Sequence, residues 1–249
     1  MTDMDAPIAL HPNTFGGRRV IVTGAAGGIG AAVCHEVAGA GAHVLALDRL
    51  FPSDTVAAVT ESGGRITGSA LDVTDRRACL EAIGSVDNVA AVVTSAGVYG
   101  PAKPLEEMSE AELDATWAAN VKGTLWAISA ALPALRREGG NIVCIGSAAG
   151  QVGAIGAGVD YAASKGALMA AVKSVARTEA KFAIVANVVA PGAVDTGMIA
   201  GRGYDGANTP LGRIATPQEI AKVVAFVASN NARYMTGTVV SVNGGLSMA

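Results

Sequence analysis

Aromatic residues are scarce, with Phe, Trp and Tyr making up only 4% of the 249 residues. A core must therefore be built mainly from Ala, Val, Ile and Leu, which suits parallel strands covered by helices on both faces. Cysteine and histidine are equally sparse, at three each. Cys34, Cys79 and Cys144 lie far apart inside apolar patterns. Their odd number and the lack of CxxC spacing argue against a disulfide framework and against a zinc site. His11, His35 and His43 form no ligand pair, so no metal is expected. Neither sign of charge dominates. The net charge of −3 gives no electrostatic footprint for nucleic acid or for an anionic membrane. No apolar run reaches the roughly 18 residues of a membrane span. The first residues, MTDMDAPIALHPN, are acidic and short of an apolar run, and do not read as a signal peptide. The balance favours a cytoplasmic location. Glycine, in contrast, is abundant at 32 residues, yet it follows no period, which excludes a collagen-like chain.

Apolar runs alternate with amphipathic stretches. Strands are expected at 19–23, 42–47, 65–71, 89–94, 141–145, 184–189 and 238–242. Helices are expected at 27–40, 53–62, 75–83, 110–137, 161–181 and 217–228. This order implies repeated βαβ units with right-handed crossovers. The expected fold is Rossmann-type α/β. Its doubly wound parallel sheet has about seven strands with helices on both faces, in three α/β/α layers. Residues 1–15 read as a flexible N-terminal extension and 16–249 as one dinucleotide-binding and catalytic domain.

The first strand runs into Thr23-Gly24-Ala25-Ala26-Gly27-Gly28-Ile29-Gly30 at the start of a helix. Glycines let the backbone turn sharply and approach a ligand closely, and the free N–H groups of a helix start suit a pyrophosphate. A tight strand-to-helix turn would also call for glycine. Asp48 ends the second strand, 18 residues beyond Gly30, near the place of a ribose-binding acid. A carboxylate there accepts from the ribose hydroxyls and repels a 2′-phosphate. The segment Ala25-Ala26-Gly27 offers no basic side chain to such a phosphate. Both features favour NAD over NADP, with Arg49 as the counterweight. A plain loop or capping acid is the other reading of Asp48.

Tyr161 and Lys165 stand four residues apart at a helix start, on one face. A free phenol has a pKa of about 10, and a neighbouring ammonium favours its anion. The pairing predicts a lowered phenol pKa, although an exposed helix pair fits the bare pattern as well.

Taken with TGAAGGIG at 23–30, Asp48, Asp72-Val73, Ser95-Ala96-Gly97, Asn120-Val121, Ser147, Pro191-Gly192 and Thr196, this pair resembles the short-chain dehydrogenase/reductase family. The resemblance runs from about Arg18 to the C-terminus. It implies Tyr161 as general acid/base and Lys165 as its pKa-lowering partner and a ligand of the nicotinamide ribose. It implies Ser147 as donor to the substrate oxygen, and Asn120 as holder of a water linking the lysine to solvent. Read alone, Ser147 is a turn serine and Asn120 an ordinary polar helix residue. The resemblance further implies that Gly24, Gly28, Ile29 and Gly30 cradle the pyrophosphate. Asp72 and Val73 would contact adenine, and Ser95, Ala96 and Gly97 would line the cofactor cleft. Pro191, Gly192, Val194 and Thr196 would hold the carboxamide. A homotetramer through the helices at about 110–137 and 161–181 is also implied.

Three features depart from the pattern or qualify it. Ser95 stands where the family usually has Asn. The segment 199–209, in the region of a substrate lid, is short and glycine-rich. Its only large side chains are Arg202 and Tyr204; Arg202 reads as a solvated arginine, with a substrate carboxylate as the other possibility. The stretch 147–161 is small and apolar, which favours an apolar substrate, and Asp160 beside Tyr161 is expected to disfavour anions. The leading expectation is an NAD-dependent dehydrogenase of a secondary alcohol or ketone. A dihydrodiol dehydrogenase resembling the 2,3-dihydro-2,3-dihydroxybenzoate enzyme and an NADPH-dependent 3-oxoacyl carrier-protein reductase are alternatives. A non-catalytic dinucleotide binder is disfavoured by the intact Asn120, Ser147, Tyr161 and Lys165.

Overall fold

The computed structural model describes residues 10–100, 102–154 and 156–248. Its seven strands are β1 (Arg19–Thr23), β2 (His43–Asp48), β3 (Arg65–Ala70), β4 (Val89–Thr94), β5 (Gly140–Ile145), β6 (Ile184–Pro191) and β7 (Val239–Val242). They form one sheet in the order β3-β2-β1-β4-β5-β6-β7, every neighbouring pair parallel. The order reverses between β1 and β4. Ligands of open α/β sheets sit outside the carboxyl ends of the strands at such a switch point.

Alternation along the strands feeds two cores. Val20, Val22, Ala91, Val93, Val143 and Ile145 face one layer, with α1 (Gly28–Gly39), α2 (Ser53–Glu61) and α8 (Pro217–Ala228). Ile21, Val92, Ile142 and Cys144 face the other, with α3 (Arg76–Ile83), α5 (Thr124–Glu138) and α7 (Val159–Glu179). Because aromatics are few, the helices approach through alanine. Ala127, Ala130, Ala131 and Ala134 of α5 are all buried against the sheet. The expected Rossmann-type fold of three α/β/α layers is the fold observed.

The expected continuous helix over 110–137 is broken. α4 (Glu110–Trp117) and α5 are joined by a π-helical segment, Ala118–Gly123, that contains Asn120. Gly123 lets the segment pack closely on Val73, since a Cβ there would lie 2.6 Å from Val73 Cγ2. A short helix, α6 (Ala149–Val152), follows β5. Of the expected N-terminal extension, residues 1–9 lie outside the described residues. Residues 12–17 form turns, and Phe15 is buried, its N–H donating to the Ala40 carbonyl at 3.1 Å. The three cysteines are free and buried.

Candidate active site

A cavity of about 980 Å³ opens over the carboxyl ends of the strands. Its lining includes Gly24, Gly28, Ile29, Asp48, Asp72, Val73, Ser95, Ala96, Gly97, Ser147, Tyr161, Lys165, Pro191, Gly192, Val194 and Thr196. Of the residues expected at the site, only Gly30 and Asn120 are not among its lining residues, and both stand immediately behind the wall.

At one end lies the glycine loop. Gly24 has φ +73°, and a Cβ on it would lie 2.5 Å from Ala96 N, so packing and backbone together demand glycine there. A Cβ on Gly30 would fall on the Gly24 carbonyl oxygen. Gly27 differs from both. Its φ of −173° is open to any residue, and a Cβ on it would meet nothing within 4 Å. Gly27 lines the cavity, and the protein's own packing does not call for glycine there. This fits a pyrophosphate against the start of α1. Asp48 orients the loop: Oδ2 accepts from Ala26 N–H at 2.9 Å and Oδ1 from Arg49 N–H at 2.7 Å. Lone pairs remain on both oxygens for ribose hydroxyls. Asp72 accepts from the N–H and hydroxyl of Thr74 through Oδ1, and these bonds, with Arg49 nearby, hold its carboxyl below the usual range.

The other end holds Ser147, Tyr161 and Lys165. Ser147 lies just past β5; Tyr161 and Lys165 share one face of the first turns of α7. Tyr161 and Lys165 are both buried. The Lys165 ammonium donates to the Ile145 carbonyl at 2.9 Å, which uses one of its three protons. Its Nζ lies 5.6 Å from the centre of the Tyr161 ring. The expected lowering of the phenol pKa does not hold in this cavity. Burial raises Tyr161 and outweighs the hydrogen bond to Ser147 that lowers it. Burial also brings Lys165 down to about 8. Desolvation disfavours both charged forms, so the proton rests on the phenol at neutral pH.

Asn120 is fully buried in the π-helical segment. Its Oδ1 accepts from Val98 N–H at 2.7 Å; its Nδ2 donates to Val98 O at 3.1 Å and to Ser164 Oγ at 3.0 Å. The amide thus clamps the loop after β4 to α7. Gly97 gives it room, since a Cβ there would be 3.0 Å from Asn120 Oδ1. Thr196 packs over the glycine loop, 3.1 Å from where a Gly28 Cβ would lie.

Among the lining residues, Tyr99 was not named by the sequence reading, Gly27 was read only as part of the glycine loop, and Tyr204 only as a large side chain of the lid region. The Tyr99 ring meets Tyr161 edge-on at 4.9 Å, and its hydroxyl pairs with Tyr204 Oη at 2.6 Å. The rarity of tyrosine, four in the chain, was the one signal available for them. Asp160 also departs from expectation. It is buried, accepts from Thr116 Oγ1 of α4 at 2.5 Å, and is not among the cavity's lining residues.

A family model described as enoyl-(acyl carrier protein) reductase matches residues 24–247. The chain belongs to the short-chain dehydrogenase/reductase family. It is 35% identical to a cis-4-hydroxycyclohexanecarboxylate dehydrogenase of Sinomonas cyclohexanicum, over 93% of this chain and 97% of that protein. It is 36% identical to the human (3R)-3-hydroxyacyl-CoA dehydrogenase, over 92% and 95%. A solved 3-oxoacyl-[acyl-carrier protein] reductase of Brucella melitensis superposes with a TM-score of 0.90 at 31% identity, covering 97% of this chain and 95% of that one. A further Brucella melitensis reductase of that description, with NAD bound, gives 0.86 at 31% identity, over 93% and 92%. Members of this family are oxidoreductases that use a nicotinamide dinucleotide.

The glycines of this short-chain dehydrogenase/reductase separate folding from binding. Gly27→Ala is expected to leave the melting temperature unchanged and to weaken dinucleotide binding roughly tenfold or more, because the methyl fills the cleft. Gly30→Ala is expected to destabilise the chain by about 1–3 kcal/mol through overpacking. Thermal melts with and without dinucleotide check both; a Gly27→Ala protein that binds normally overturns the cradle.

Proposed function

We propose that this chain is an NAD-dependent dehydrogenase of a secondary alcohol, working in either direction between alcohol and ketone. The observation that carries this reading is one cavity with Asp48 and the glycine loop at one end and Ser147, Tyr161 and Lys165 at the other. NAD, when bound, supplies the hydride acceptor. Tyr161 Oη removes the hydroxyl proton in oxidation and returns it in reduction. Ser147 hydrogen-bonds the phenol and the substrate oxygen, steadying charge as it develops there. Lys165 keeps two protons for the ribose hydroxyls. Asn120 is a positioning residue: through Val98 and Ser164 it fixes the loop after β4 against α7.

Asp48 supports NAD, since its carboxylate would lie against a 2′-phosphate. Asp48→Asn keeps an acceptor for Ala26 N–H while removing the charge. The NAD-over-NADP preference is expected to fall roughly tenfold, the equivalent of about 1.4 kcal/mol. Steady-state kinetics with both dinucleotides measures it, and an unmutated enzyme that prefers NADP sinks the assignment. A second reading, a 3-oxoacyl carrier-protein reductase, is favoured by the Brucella melitensis structures and by Arg49 beside Asp48 at the cavity rim. Turnover of a 3-oxoacyl thioester with NADPH in preference to alcohols with NAD would establish it.

Burial holds the Tyr161 proton on at neutral pH. The acid form needed for ketone reduction is therefore resident, and the base needed for oxidation forms only as pH rises. With cyclohexanol, 3-hydroxybutyrate and 4-hydroxycyclohexanecarboxylate as the panel, kcat/KM for oxidation is expected to climb through the alkaline range. Ketone reduction is expected to decline over the same range. Tyr161→Phe removes both limbs and costs about 10²–10⁴-fold, with dinucleotide still bound. Near-normal turnover by that variant would contradict the role.

The assembly we propose is a homotetramer built on α4, α5 and α7. Leu113, Trp117 and Val159 on these helices are exposed, and α7 carries the incompletely covered small residues Ala162, Ala163, Gly166 and Ala170. Such a face admits close helix approach. Light scattering at micromolar concentration is expected to report four chains; a monomer excludes this packing.

A further inference from the structure

The cavity carries one feature that proton and hydride transfer do not use. Arg202 lies on the segment after β6, with its guanidinium carbon 4.7 Å from the centre of the Tyr99 ring. The same ring meets Tyr161 edge-on at 4.9 Å. Arg202, Tyr99 and Tyr161 therefore stand in series. The platform between them is held from both sides, because the Tyr99 hydroxyl donates to the Gly156 carbonyl at 2.7 Å and pairs with Tyr204 Oη at 2.6 Å.

Stacking on an aromatic face leaves the in-plane N–H groups of a guanidinium available. Among the described residues, no carboxylate forms an ion pair with Arg202. Asp205 is close in sequence, but its Oδ1 accepts from Ala207 N–H at 2.9 Å. Asp160, the residue expected to repel anions, is turned onto Thr116. The substrate end of the cavity thus presents a cation resting on the Tyr99 ring, with Lys165 as a second positive group deeper in.

We propose that Arg202, braced on Tyr99, binds a substrate carboxylate, so that the substrates are compact hydroxy acids. This rests on the alcohol-dehydrogenase reading above and narrows it. With the hydroxyl at Tyr161 and the carboxylate at Arg202, two ring contacts in series leave space for a skeleton of a few carbons or one ring. The planar fork of arginine matches a carboxylate bidentately, which an ammonium cannot do.

The test has a binding arm and a kinetic arm. In calorimetry on the NAD-loaded chain, cyclohexanecarboxylate is expected to bind at least roughly tenfold more tightly than its methyl ester, a hydrogen bond to a charged group being at stake. Arg202→Gln is expected to bring the anion down to the ester's affinity, and Arg202→Lys to recover part of the loss. In kinetics, the preference for 4-hydroxycyclohexanecarboxylate over its methyl ester is expected to fall by a similar factor in Arg202→Gln. An ester bound as well as the anion, or an anion bound equally by Arg202→Gln, overturns the subsite. If cyclohexanol still reduces NAD in that case, the dehydrogenase reading stands without it. If the anion binds through Arg202 while no alcohol of the panel reduces NAD, the subsite stands and the dehydrogenase reading fails.

Discussion

The buried amide of Asn120 is the interaction on which the site's geometry rests. It uses its acceptor and both donor protons on two residues, Val98 and Ser164. Those residues belong to the loop after β4 and to the helix that carries Tyr161 and Lys165. The π-helical segment aims the amide at them. A regular helix through 118–123 would rotate the residues that follow by the offset of the extra one, and such insertions concentrate at functional sites. Removing the amide would leave the Val98 N–H and carbonyl without their side-chain partner. The same change would release the loop that bears Tyr99.

Burial explains why the charged groups here behave differently from their spacing. The i,i+4 relation of Tyr161 and Lys165 puts them on one face, yet both are enclosed by β5, α6 and the loop after β4. Desolvation is the largest influence on each, raising the phenol and lowering the ammonium, and a dry cavity keeps the proton on the phenol. A bound dinucleotide would bring ribose acceptors to an ammonium that has donors to spare. In the proposed reading, cofactor binding and readiness for proton transfer would be linked through one side chain.

The sheet was legible because its signals are local: period-two and continuous apolar runs, glycine at Gly24 and Gly30, and an acid closing β2. The glycine loop, Asp48, Ser147, Tyr161 and Lys165 come together as their order along the strands implies. The π-helical segment was not legible, since apolar periodicity over 110–137 is satisfied by an unbroken helix. The direction of Asp160 was set by Thr116, 44 residues away. The Tyr99–Tyr204 pair joins residues 105 apart, and nothing in either neighbourhood announces the other. The pKa of Tyr161 depends on how much water is excluded, a quantity that spacing does not carry.

The three buried cysteines have a consequence for how the molecule can be watched. Cys34 points from α1 into one core, and Cys79 and Cys144 lie in the opposite core. Burial pushes Cys34 up to about 12 and the other two to about 11, so the reactive thiolate is suppressed as well as enclosed. An alkylating reagent can reach them only through an opening of the layer that covers them. The chain therefore carries its own clock for each side of the sheet, and the order in which the thiols become labelled reports which layer of helices lifts first.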